Sequence, residues 1–95
     1  MTTTEFADAI QILCQRFGGS VTSWGRTVAH NKMVGGVSGS AHTWFLGADV
    51  VWDAQPSGFA LAVRQAAYDL GLWVLWEGDH THFQPLDWHN KERPA

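Results

Sequence analysis

The segment Leu72–Gln84, Leu-Trp-Val-Leu-Trp-Glu-Gly-Asp-His-Thr-His-Phe-Gln, constrains the backbone more than any other part of the chain. Residues 72–76 are Leu, Trp and Val, types that favour strands, and the run predicts a buried strand. Gly78-Asp79 then marks a tight turn, so the two flanking segments read as a hairpin. In a strand, successive side chains alternate between faces. His80, His82 and Gln84 therefore point one way, and Thr81 and Phe83 enter the opposite layer. Two imidazoles on one face, just after Glu77 and Asp79, have the geometry of a metal site. The same pattern also describes a polar strand edge, and this segment alone does not separate the two.

Upstream, residues 4–17 predict an amphipathic helix. Phe6, Ile10, Leu13, Cys14 and Phe17 follow at steps of four, three, one and three, which is one helical face. Thr2 with Glu5, or Thr4 alone, supplies a cap, and Gly18-Gly19 stops the helix. Cys14 lies on the apolar stripe and reads as a small core residue rather than a nucleophile. Val21–Trp24 is a short strand, residues 27–33 a helical turn or two, and Val34–Ser40 a glycine- and serine-rich loop. Ala48–Trp52 is a strand. Pro56-Ser57 opens a second helix over about 57–70, with Phe59, Val63, Ala66, Ala67 and Leu70 inward, and Gly71 ends it. The tail from about residue 87 is polar, contains Pro94 and is expected to fray.

This order predicts a single α+β domain over residues 1–95. Its helices pack on one face of a largely antiparallel sheet, and a cleft is left on the other. A chain of 95 residues supports one modest core, and 45% hydrophobic residues is ordinary for a globular domain. A net charge of -3 with scattered charges argues against a nucleic-acid surface. The single Cys14 allows no internal disulfide. No apolar run is long enough to span a membrane, and Met1–Thr4 has neither the charge nor the apolar block of a signal peptide. Synthesis in the cytoplasm and a monomeric state are expected. Some of the six Trp must be core, and others can line a cleft.

A second polar cluster precedes the Ala48–Trp52 strand. His42 follows a Gly/Ser loop, and Asp49 comes seven residues later inside an apolar strand. A carboxylate in such a run needs a partner, because burying an unpaired charge is costly. A metal ion is one partner. With His42 and one histidine of the last strand, Asp49 completes two imidazoles and a carboxylate, the composition of a catalytic zinc site with a position left for water. Otherwise Asp49 pairs with Arg26 or accepts loop amides, and His42 is a surface residue.

The step from His42 to Asp49, with Ser40 two residues before the histidine, resembles the first zinc motif of the D-Ala-D-Ala carboxypeptidase and L-alanyl-D-glutamate endopeptidase family, the M15 metallopeptidases. Asp79-His80-Thr81-His82 resembles the second motif, and Ser23–Thr27 with Asn31 is similar to the segment carrying the substrate-binding arginine. The likeness runs from about Ser23 to Gln84, in the family's order. It implies a hedgehog-like zinc peptidase fold that acts on peptidoglycan stem peptides. It further implies zinc on His42, Asp49 and His82. Asp79 becomes general base and acid, with His80 supporting the water or the transition state. Arg26 holds a substrate carboxylate or carbonyl, and Ser40 steadies a ligand or the substrate. An endolysin-like release to the cell wall fits that substrate. Glu77 precedes His80 as Asp79 precedes His82, so a Glu77/His80 register is the alternative. Phe45 stands where the family often has Gly, and Gly47 where Ala is usual, which puts substrate specificity in doubt. A zinc module without activity, serving in cell-wall or protein binding, is the rival reading.

The remaining candidates are weaker. His30 and His89 read as solvated or capping residues, and Met33 as packing. Trp24 and Trp44 wall a cleft or pack in the core; Trp73 and Trp76 read as core or sheet-face residues. Glu77 either orients a ligating histidine or is a plain hairpin charge.

Overall fold

Thr2 starts the first helix, α1 (Thr3–Phe17), through a full capping box: its hydroxyl accepts from the Glu5 amide, and the Glu5 carboxylate accepts from the Thr2 amide. The computed structural model describes residues 1–24 and 46–86. The expected helical turn at 27–33, the loop Val34–Ser40 and the tail from 87 lie outside the described residues. Gly18 ends α1 in the left-handed region, at φ 74°, where a side chain would be strained. The chain continues directly into β1 (Gly19–Trp24), and the further elements among the described residues are β2 (Ala48–Trp52), α2 (Phe59–Asp69), β3 (Leu72–Glu77) and β4 (His80–Pro85).

The four strands form one sheet in the order β1-β2-β4-β3, every neighbouring pair antiparallel. The domain is α+β, as expected, with both helices on one face of the sheet. Strand β1 starts two residues earlier than the sequence suggests. Its register with β2 shifts between Val21 and Ser23, so Ser23 lies opposite Asp49 and Trp24 opposite Ala48. The shift turns Trp24 back towards α1, where its ring stands 6.4 Å from that of Phe6. At Gly19 the strand passes so close to its neighbour that a Cβ would lie 2.8 Å from both Val50 and Trp52 side-chain atoms.

The core lies between helices and sheet. Phe6, Ala9, Ile10 and Leu13 of α1 and Phe59, Val63, Ala66 and Ala67 of α2 meet Ala48, Val50, Leu72, Val74 and Phe83. Burial of each large apolar side chain stabilises the fold by about 1.5–3 kcal/mol. Trp52 and Trp76 stack at 6.3 Å with 14° between their planes, and Phe17, Phe59 and Phe83 meet Trp52 edge-on. Cys14 packs against this core, and burial raises its thiol pKa, in keeping with a packing role.

Two sequence expectations change here. The second helix begins at Phe59 rather than at Pro56-Ser57, because Gly58 occupies its N-cap in the left-handed region, at φ 79°. Strand β3 is not buried throughout: Leu72 and Val74 face the core, whereas Leu75 is 42% exposed. A two-residue period in a sheet covered by helices on one face buries only alternate residues.

Candidate metal centre

Strand alternation places Asp49. Its neighbours Ala48 and Val50 are fully buried under the helices, so Asp49 emerges on the opposite face of β2. On β4 the same rule buries Thr81 and Phe83 completely and sends His80, His82 and Gln84 to the Asp49 side. The β2–β4 register sets Asp49 directly opposite His82. The result is a contact of 2.9 Å between Asp49 Oδ1 and His82 Nδ1, with the two side chains only 14% and 13% exposed.

The other nitrogen of the His82 ring, Nε2, stands 2.7 Å from Oε1 of Gln84, itself a buried residue. Trp73, opposite Gln84 on β3, meets the His82 ring edge-on at 6.4 Å. Glu77 enters from the end of β3. Its carboxylate, one Asp49 oxygen and one His82 nitrogen all lie within 4.8 Å of one another.

At the hairpin tip, His80 Nδ1 is 2.9 Å from Asp79 Oδ1, and its Nε2 is 3.6 Å from Glu77 Oε1. The hydrogen bond with Asp79 is the main cause that raises the His80 pKa, with burial opposing and Asp49, Glu77 and Asp79 adding their charges. The bond with His80 lowers the Asp79 pKa in turn. The Asp79 side chain is 97% exposed.

The donor set suits a divalent ion. Two carboxylates and an imidazole are ligands that zinc accepts, and zinc–nitrogen and zinc–oxygen bonds of about 2.0–2.2 Å would set the donor atoms roughly 3.3–3.6 Å apart. Asp49 Oδ1 and His82 Nδ1, at 2.9 Å, stand closer than that, and the three donor groups lie within 4.8 Å of one another. Among the described residues this is the group of His, Cys, Asp and Glu side chains so placed.

The structure thus joins two of the three expected ligands, Asp49 and His82. His42, Arg26 and Ser40 lie outside the described residues, as do His30, Met33, Trp44 and His89. Asp79, the expected base, is on the turn and bound to His80 rather than grouped with the donor atoms. The acidic residue grouped with Asp49 and His82 is Glu77, which also stands 3.6 Å from His80. Sequence reasoning put Gln84 on the right face and gave it no role; the signal was its two-residue step from His82.

No family model matches the chain, and no curated protein and no solved structure matches it. The metallopeptidase resemblance therefore rests on the motifs themselves. No helix among the described residues is long and apolar enough to cross a membrane.

Proposed function

We propose that this chain is a zinc-dependent metallopeptidase that hydrolyses peptide bonds in peptidoglycan stem peptides, of the D-Ala-D-Ala carboxypeptidase or L-alanyl-D-glutamate endopeptidase type. The observation that supports it is the meeting of Asp49 with His82. These residues come from separate motifs 33 positions apart, and they face each other at 2.9 Å in a largely enclosed setting. His42 is the third ligand in this proposal. Zinc, when bound, lowers the pKa of a coordinated water from about 15.7 to about 7.

The proton work falls to Glu77. With His42 as third ligand, Glu77 is left out of the coordination set in this proposal; its carboxylate lies within 4.8 Å of an Asp49 oxygen and a His82 nitrogen, so it can take a proton from a water there and pass it to the departing amine. Asp79 instead holds His80. That bond favours the protonated ring, and His80, when protonated, places positive charge next to the site, where it can stabilise a developing oxyanion. Arg26 and Ser40 enter through the resemblance, as the residues that hold the substrate's carboxylate or carbonyl.

A second reading is a binding module without turnover. It is favoured by one observation: both ring nitrogens of His82 already face oxygens of the protein. Incubating the zinc-loaded protein with muropeptides and identifying the products by mass decides between them. Loss of terminal D-Ala marks a carboxypeptidase, and a cut after L-Ala an endopeptidase. Intact muropeptides overturn the peptidase and leave the binding module.

A further inference from the structure

We infer that the outer edge of β3 is an interface between two copies of this chain: β3 pairs antiparallel with β3 of a second copy and joins the two sheets into one. The inference does not depend on the metal reading, and it replaces the monomer expected from the sequence.

The sheet has two outer strands, β1 and β3, and they differ. β1 carries Ser20, Thr22 and Ser23, and its register breaks between Val21 and Ser23, the kind of irregularity that keeps an edge from pairing. β3 is Leu-Trp-Val-Leu-Trp-Glu and follows β4 residue by residue from Leu72 to Glu77 without a shift. It has no Pro and no Lys, and its single charge, Glu77, stands at its end. Among the described residues no strand pairs with its other side. A regular apolar edge of this kind is a template for another strand.

The phase of the ladder decides which backbone groups face outward. The two-residue turn at Gly78-Asp79 makes Glu77 and His80 a hydrogen-bonded pair, and at the other end the Leu86 amide donates to the Gly71 carbonyl at 3.0 Å. Bonded and non-bonded pairs alternate in an antiparallel ladder. Gly71, Trp73, Leu75 and Glu77 therefore turn their backbone groups to β4, and Leu72, Val74 and Trp76 turn theirs outward.

That phase suits a second copy. Outward-bonding residues pair with outward-bonding residues, and those of β3 are spaced evenly about Val74. Turned round a two-fold axis at Val74, the edge meets itself along its length: Leu72 lies opposite Trp76, and Val74 opposite Val74. Leu75, 42% exposed, comes opposite Trp73. Glu77 comes opposite Gly71, so the two like charges stay at opposite ends. Directly paired residues share a face, so the helices of both copies lie on one side of the joined sheet and both Asp49–His82 contacts on the other. α2 adds apolar surface beside this edge. Arg64 lies over the Trp76 ring at 6.0 Å, and Leu61 and Tyr68, one helical turn before and after it, are 62% and 55% exposed.

Sedimentation equilibrium of the full chain from micromolar to millimolar concentration tests this. A dimer at the upper end is expected, and a monomer throughout overturns the inference. Amide hydrogen exchange of the wild type locates the contact: the Leu72, Val74 and Trp76 amides should exchange slowly at high concentration and lose protection on dilution. Protection that does not change with concentration would put another segment of this chain on the edge, and no protection would put the contact elsewhere; either result overturns the inference. Leu75→Lys, at an exposed position, brings like charges together across the axis and should weaken dimerisation at least ~10-fold. Val21→Lys, at 43% exposure on β1, should leave it unchanged, with circular dichroism confirming that both variants fold. Undiminished dimerisation by Leu75→Lys, or an equal loss in Val21→Lys, would overturn the assignment to β3.

Discussion

Asp49 and His82 are cross-strand partners whose side chains touch, Oδ1 to Nδ1, at 2.9 Å on the sheet face opposite the helices. Backbone pairing alone brings them together. Since β2 and β4 are adjacent central strands, the pair cannot be separated by a loop movement without breaking the sheet. Glu77, by contrast, sits at the hairpin end of an outer strand of this sheet, 44% exposed, and has more freedom to move a proton.

That difference predicts distinct roles for the two hairpin carboxylates. Glu77→Gln is nearly isosteric and cannot take a proton. It should lower muropeptide turnover at least ~100-fold, within the range of general-base help. Asp79→Asn should be milder, because it loosens His80 without removing the base. Turnover rates of the two variants, measured with zinc content, check this. A dead Asp79→Asn beside an active Glu77→Gln would return the base to Asp79.

The His80–Asp79 pair also gives the metal-free protein a pH signature. The His80 pKa is raised above its ordinary 6.5, so its contribution is complete below that value and is lost as pH rises through the folded value. The Asp79 pKa is lowered from 3.8, so its contribution is present above that value and is lost as pH falls through the folded one. The pair therefore helps most between the two. The effect is small, because Asp79 is almost wholly in water. The Tm difference between wild type and His80→Gln should shrink as pH rises from about 6 to about 9. A difference that grows over that range would contradict the assignment.

The fold was legible where periodicity and caps agree. The step pattern of Phe6, Ile10 and Leu13, the Thr2–Glu5 box and Gly18 define α1 closely, and the Gly78-Asp79 turn defines the hairpin. Alternation was also enough to put His80, His82 and Gln84 on one face. The start of α2 was misread because a left-handed glycine cap has no side-chain signature to set against Pro56-Ser57. The exposure of Leu75 was missed because composition makes β3 look uniformly apolar, and only the layer arrangement tells which alternate residues are covered. The grouping of Glu77 with Asp49 and His82 depends on register between three strands, which no local pattern carries.

One buried polar contact on the helix side was equally invisible in sequence. The indole N–H of Trp52 donates to Thr81 Oγ1 at 2.9 Å, and Thr81 is fully buried. Thr81→Val keeps the shape and removes the acceptor, leaving a part-buried donor unsatisfied. A loss of about 1–3 kcal/mol is expected from urea unfolding. Unchanged or increased stability would show that the hydrogen bond contributes nothing net.

The central claim is that Asp49 and His82 hold a metal ion. Titrating the metal-free protein with zinc in a calorimeter, wild type beside Asp49→Asn, tests it most directly. The account predicts saturable binding of one zinc per wild-type chain and a loss of affinity of at least ~100-fold in the variant, since a charged ligand oxygen is removed from the coordination set. No saturable binding by the wild type, or undiminished binding by Asp49→Asn, would contradict it.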